Sequence, residues 1–300
     1  MLYGASTKIG CITSQTITPA FTMSGGIVGG NIYSSFKGIA GCKVAGTVTT
    51  KDFATAWGVH GLTGAAITSV GSNTLKLYAV KLLDGGTRTG GSVHRTYTIN
   101  KGIIFPTSTR ASHQGALEHT MGIAMVYDGT NAPFVEADTA AAQTAVTDNI
   151  EFTLGGITIG AFATAQVKDV SIDWGVNVET FGEGSDIYDT MACVTTISPK
   201  FTIRGLTIDW VKSAGIPLTG KACLSANTKI YFRKRANGGA FVADETAEHL
   251  SVVIDGLCTV SEVAGFGSSN APGECTLSIE ASLPSGGSVP LTVNAATAIT

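Results

Sequence analysis

The chain repeats itself at long range, and this constrains its fold more than any other feature. Ile32-Tyr33 returns as Ile187-Tyr188, and Leu62-Thr63-Gly64 as Leu218-Thr219-Gly220. Lys76-Leu77-Tyr78 followed by Gly85-Gly86 returns as Lys229-Ile230-Tyr231 followed by Gly238-Gly239. Thr120-Met121-Gly122-Ile123 returns as Thr276-Leu277-Ser278-Ile279. The offsets are 155, 156, 153 and 156 residues, a drift of three over about a hundred positions. Two copies of one domain are expected, residues 1–148 and 149–300. A solenoid is not, because its repeats run to roughly 20–50 residues. Two like domains in one chain can fill two equivalent seats of a symmetric assembly.

Both copies read as β. Val170, Ile172 and Trp174 alternate with Asp169, Ser171 and Asp173, the period of a half-buried strand over 167–174. Its counterpart is 12–18. Strands are expected at 200–209, with Phe201, Ile203 and Ile208 facing inward, and at 43–50. Further matched pairs are 229–235 with 76–82, 250–254 with 96–100, and 275–279 with 119–123. Helical signal is thin. Thr50 could cap a short helix through Trp57, with Phe53 and Trp57 on one face. The Ala-rich run 139–146 follows Asp138, a good cap, and marks the expected linker.

Composition narrows the function. Charged residues make up 14% against roughly 25% in ordinary soluble proteins, and mean hydropathy is +0.27. No apolar run approaches the roughly 18–20 residues of a membrane span, and residues 1–10 lack a secretory signal's pattern. No membrane anchor is expected. So few charges suit a β protein rich in Thr, Ala and Gly, and suit better one whose surface is buried against copies of itself. Residues 1–150 hold 10 basic and 7 acidic residues, while 151–300 hold 9 and 15. Opposite signs would let the copies pair side by side, although drift after duplication gives the same numbers. No strongly basic face exists to grip phosphates.

Catalytic and cofactor motifs are missing. Gly265-Phe266-Gly267-Ser268-Ser269-Asn270 begins a dinucleotide fingerprint but lacks its last glycine and a βαβ setting. Glu118-His119 and Glu248-His249 are adjacent on strands, so their side chains point to opposite faces and cannot work together. Asp244, Glu245 and Glu248 lack calcium-loop spacing. The six cysteines, Cys11, Cys42, Cys193, Cys223, Cys258 and Cys275, form no C-x-x-C. Free thiols are expected, with a disulfide left open. No enzyme, metal or cofactor follows from these residues.

Two features point instead to assembly. The loops Gly25-Gly26-Ile27-Val28-Gly29-Gly30 and Gly182-Glu183-Gly184-Ser185 fall at matching places, beside Tyr33 and beside Asp186 and Tyr188. They read as arms settling on a neighbouring subunit, or as plain surface turns. Lys229, Tyr231, Arg233 and Arg235 would share one strand face. The first copy lacks most of this charge, which favours an inter-subunit ion-pair surface at Lys229, Arg233 and Arg235 over a nucleic-acid platform.

The run Val170-Ser171-Ile172-Asp173-Trp174-Gly175-Val176, then Gly184-Ser185-Asp186-Ile187-Tyr188-Asp189-Thr190, then Lys200-Phe201-Thr202-Ile203-Arg204-Gly205 resembles the tail tube proteins of long-tailed bacteriophages. The resemblance covers the second copy best. The first follows through the repeat, with Asn31-Ile32-Tyr33 as its tyrosine loop, although Pro19 and its glycines depart from the acidic pattern. It implies a mainly β fold of two tandem homologous β-sandwich or half-barrel domains with short helices. It further implies a structural virion protein made in the host cytoplasm, whose homotrimeric, pseudo-hexameric rings stack into a helical tail tube. Implied partners are further copies of the chain, tape-measure and tail-terminator proteins, and genomic DNA ejected through the lumen without specific binding. The alternative is a two-domain β-sandwich adhesin or receptor-binding virion protein.

Overall fold

The computed structural model describes residues 1–299 apart from 28, 30–31, 35, 70–72, 142–150, 161, 165, 185–186, 206–212, 217–220, 225–227, 237–238, 255–257, 265–273 and 282–289. The protein is mainly β. Strands β1 (Leu2–Tyr3) and β2 (Thr7–Lys8) precede a long hairpin of β3 (Ile12–Gly26) and β4 (Phe36–Thr50). Helix α1 (Phe53–His60) follows, then β5 (Ala65–Thr68), β6 (Leu75–Ala79), β7 (His94–Ile99), β8 (Lys101–Ser112), β9 (Glu118–Met125) and β10 (Val135–Ala140). The remaining strands are β11 (Glu151–Ile159), β12 (Phe162–Thr164), β13 (Val167–Asp173), β14 (Val176–Phe181), β15 (Met191–Ile197) and β16 (Lys200–Gly205). They continue through β17 (Lys221–Leu224), β18 (Thr228–Arg235), β19 (His249–Ile254), β20 (Cys258–Ala264), β21 (Cys275–Ala281) and β22 (Leu291–Thr297).

These strands form two five-stranded sheets, a ten-stranded sheet and the separate hairpin β14-β15. The small sheets run β10-β7-β6-β1-β2 and β22-β19-β18-β11-β12. The large sheet runs β17-β20-β21-β16-β13-β8-β9-β4-β3, with β5 also on β8. One order of pairing therefore occurs twice, as β3-β4-β9-β8-β5 and as β13-β16-β21-β20-β17. The registers recur as well. Ile17 lies opposite Gly46 and Gly46 opposite Ile123, while Ile172 lies opposite Phe201 and Phe201 opposite Ile279. The two sets meet where β13 pairs with β8, from Asp169 opposite Ser112 to Asp173 opposite Ser108.

Alternation decides which face of the large sheet is dry. Val44 and Val48 of β4, His119, Met121 and Ile123 of β9, Val170 and Ile172 of β13, and Phe201 and Ile203 of β16 all point into the core. The residues between them are mostly polar and turn outward. Two apolar clusters result. One gathers Val44, Val48, Leu75, Leu77, Ile99 and Met121; the other gathers Phe152, Ile172, Trp174, Phe201, Phe232 and Leu277.

Helix α1 joins these clusters. Ala56 belongs to the first, whereas Phe53 is in the second with Trp57 packed against it. Phe53 stacks on Trp174 at 6.4 Å between ring centroids, and Trp57 approaches the same indole to 4.5 Å. The helix sequence, Phe-Ala-Thr-Ala-Trp-Gly-Val-His, is nearly apolar all round, as a helix between two cores must be. Its cap is Asp52, which accepts from the Thr55 N–H, and not the expected Thr50. Thr50 is taken up elsewhere: its hydroxyl donates to Gly10 O and accepts from the Asp52 N–H.

The expected helix at 139–146 is also corrected. Thr139 and Ala140 end strand β10, held beside β7, where ladder bonds outweigh the helix propensity of Ala; residues 142–146 lie outside the described residues. So do Ile208, Trp210 and the glycines of 265–270. Strand β16 stops at Gly205 within the described chain.

Candidate assembly surface

The two matched glycine loops are hairpin tips with different surroundings. In the first, Gly25 and Gly26 end β3 as paired residues, and Gly29 and Tyr33 lie in the turn toward β4. Gly30 is outside the described residues. Ile32 and Tyr33 are 83% and 73% exposed, and Phe21, Met23, Ile27 and Ile39 are exposed below them. The hairpin reaches past β9, whose pairing with β4 ends at Val44 opposite Met125. Its distal apolar side chains therefore lack the cover that Val44 and Val48 receive.

The second tip is seated. Gly182 and Gly184 form its turn, Asp186 is outside the described residues, and Tyr188 lies against the first hairpin. Tyr188 bridges Cys42 of β4 in parallel, and the Cys42 N–H donates to Ile187 O at 2.6 Å. The Tyr127 N–H donates to Asp189 O, and the Tyr127 and Tyr188 rings stack at 6.4 Å. Lys43 Nζ sits 3.4 Å from Asp189.

Both arginines of the basic run on β18 have partners inside the chain. Arg233 pairs with Asp244 and Arg235 with Glu151, and both guanidiniums lie over the Phe241 ring. Tyr231 is buried, and Lys229 is half-buried opposite Val253. The basic-aromatic stripe read from the sequence is thus not an open one. Of the acidic run, Asp244 is used by Arg233 and Glu248 by Lys234.

The outer face of the large sheet is a lattice of hydroxyls and internally paired charges. Thr16 and Thr47 share a hydrogen bond at 2.7 Å, as do Thr49 and Thr120 at 3.1 Å. Ion pairs Lys200–Glu280, Arg204–Asp169 and Lys168–Glu274 lie across β21, β16 and β13. The carboxyls of Glu274 and Glu248 are held low by bonds to their lysines. A shallow depression of about 430 Å³ crosses the β8–β13 join, lined by Arg110, Glu118, Asp169 and Arg204. Its charges balance, so it offers no surplus for an ionic ligand.

Sequence reasoning missed a buried polar chain at that join. Trp174 Nε1–H donates to Thr109 Oγ1 at 2.9 Å, and Thr109 Oγ1 lies 2.8 Å from His119 Nδ1. His119 Nε2 meets His60 Nε2 at 2.9 Å, and His60 Nδ1 lies 2.7 Å from Gly61 O. One set of protons satisfies this order, by the donor and acceptor rules for neutral imidazole. His60 Nδ1–H donates to the carbonyl, so its Nε2 accepts from His119 Nε2–H. His119 Nδ1 then accepts the Thr109 hydroxyl. Burial lowers the His60 pKa to about 4 and holds His119 well below its usual value. The chain links α1, β9, β8 and the end of β13, and all four of its side chains are buried.

A second pair was legible but unread. His94 and His249, 155 residues apart, are both buried, and each accepts a backbone N–H at Nδ1, from Lys81 and Lys234 respectively. Their shared offset was the signal. Glu118 is exposed and His119 buried, in line with opposite faces.

Cys11, Cys42, Cys193 and Cys275 are free thiols. Among the described residues, no three His, Cys, Asp or Glu side chains are grouped to hold a metal ion, and no helix is long and apolar enough to cross a membrane. No protein-family model matches the chain, and a search of curated proteins finds no relative.

Proposed function

We propose that this chain is a tandem duplication of one β unit and a structural subunit of a phage-type tail tube. Three copies would close a ring of six like units, and rings would stack into a cylinder that conducts DNA. The observation that carries the reading is the twice-used pairing order, with registers that keep the 155–156 residue offset of the sequence.

Other features support it. Among the described residues, strand β3 is the long, unpaired edge of the large sheet. An antiparallel sheet must cover such an edge, and closure into a ring does so for every copy at once. The Thr-rich outer face, with its ion pairs satisfied internally, suits a lumen wall because each unpaired Lys or Arg facing phosphate would add to retention. On this reading the protein has no enzymatic role and resides in the virion tail after assembly in the host cytoplasm. Tape-measure and terminator proteins would be its partners at the lumen and the tube end.

Negative-stain electron microscopy of the concentrated protein tests this. Hollow rings or tubes with threefold or sixfold symmetry are expected. A uniformly monomeric field would end the proposal.

A further inference from the structure

Among the described residues, the contact that joins the two halves has a second set of surfaces with no strand seated on them. Within the chain, the Ile187-Tyr188 turn sits on β4 at Cys42, and β13 pairs with the edge of β8. Each participant has a counterpart 155–156 residues away. Tyr188 corresponds to Tyr33 and β13 to β3, and both counterparts belong to the exposed first hairpin. Cys42 corresponds to Ile197: Phe21 lies opposite Cys42 in one hairpin, and Val176 opposite Ile197 in the other. Strand β8 corresponds to β20, but the residues matching 109–112 lie outside the described residues.

Two of these counterparts, β3 and β15, keep one strand edge without a neighbour among the described residues. Among the described residues, β15 pairs only with β14, and β3 only with β4. Ile32 and Tyr33 stand in solvent, whereas Tyr188 packs against the first core cluster.

We propose that a second copy of the chain fills them head to tail. Its Ile32-Tyr33 turn seats on the outer edge of β15 at Ile197, as Ile187-Tyr188 seats on β4 at Cys42 within the chain. Contact between unlike surfaces repeats from copy to copy, and so closes a ring or grows a filament. One difference from the internal contact is built in. Lys43 and Asp189 form an ion pair inside the chain, but their counterparts are Ser198 and Ser34. The contact between copies therefore rests on apolar seating and backbone pairing, and tolerates high salt.

The inference rests on the duplication in the reading above but does not require a tube. Two singly substituted chains, Tyr33→Cys and Ile197→Cys, are mixed under mild oxidation and run on a non-reducing gel. Each alone, and the unsubstituted chain, give the background from native thiols. A disulfide dimer specific to the mixture is expected. Its absence, at a concentration where the unsubstituted chain sediments as an oligomer, overturns the proposal, as does an unsubstituted chain that stays monomeric.

A second variant, Ile32→Asp with Tyr33→Asp, alters only side chains exposed in the single chain. It should keep its circular dichroism and melting temperature while its self-association weakens by about tenfold or more. Unchanged association refutes the contact. Cross-linked chains that never form hollow rings would sink the tube and leave this contact standing. Hollow rings without the 33–197 disulfide would do the reverse.

Discussion

Acid should destabilise the fold through the buried histidine pair at the join between the halves. His60 and His119 are neutral and buried, and every proton in their chain has one acceptor. In the unfolded chain an imidazole titrates near 6.5, whereas burial lowers the His60 pKa to about 4. Between these values the unfolded state binds the proton and the folded state does not. Stability is then full above pH 6.5 and declines as pH falls through 6.5 toward 4. For His60 alone, this linkage costs about 2 kcal/mol on going from pH 7.5 to pH 5, and His119 adds to it in the same direction. The carboxyls of Asp128, Glu248 and Glu274 are held below their ordinary values and so stay outside the pH 7.5 to 5 range, whereas burial lowers the Met1 amino group from 8.0 to about 6, inside it, and the histidine NMR separates the two contributions. The assay is urea unfolding at fixed protein concentration, followed by tryptophan fluorescence because Trp57 and Trp174 border the pair. In parallel, NMR of 13C-labelled histidine would follow the two imidazoles directly. Stability that is flat from pH 7.5 to 5, or two resonances titrating near 6.5, would refute the reasoning.

Three substitutions test other parts of the same frame. Trp174→Phe keeps the ring stack on Phe53 but leaves Thr109 Oγ1 without its donor, and should cost about 1–3 kcal/mol in urea unfolding. Phe53→Ala empties the space between Trp174, His119 and Phe232 and should cost about 3–5 kcal/mol; a loss below 1 kcal/mol would mean that α1 does not join the cores. Gly175→Ala puts a methyl group 2.0 Å from Ser198 O at a φ of +58°, so a drop of about 2 kcal/mol or more in stability is expected, read as a lower urea midpoint.

Much of the fold was legible because strands obey a period of two and because turns need particular residues. Residues 167–173, with Val170 and Ile172 inward and Asp169 and Ser171 outward, could be placed from pattern alone. The pairing of β18 with β19 also lay in reach, since both strands recur at known offsets. Short-range signals misled where long-range partners outbid them. Thr50 has the chemistry of a helix cap, yet Gly10, forty residues away, claims its hydroxyl. Ala140 favours helix, yet β7 offers a ladder. Arg233 and Arg235 looked like an exposed stripe until Asp244, Glu151 and Phe241 folded over them.

The sequence by itself determined the β class, the strand faces and the long-range repeat, because alternation and offset are properties of a linear string. Only the tertiary structure decided that α1 belongs to both cores, that Tyr188 is seated while Tyr33 is bare, and which edges stay open. Those outcomes depend on which strand comes to lie beside which. Closure of contacts between residues a hundred or more positions apart sets that neighbour, and no local pattern encodes it.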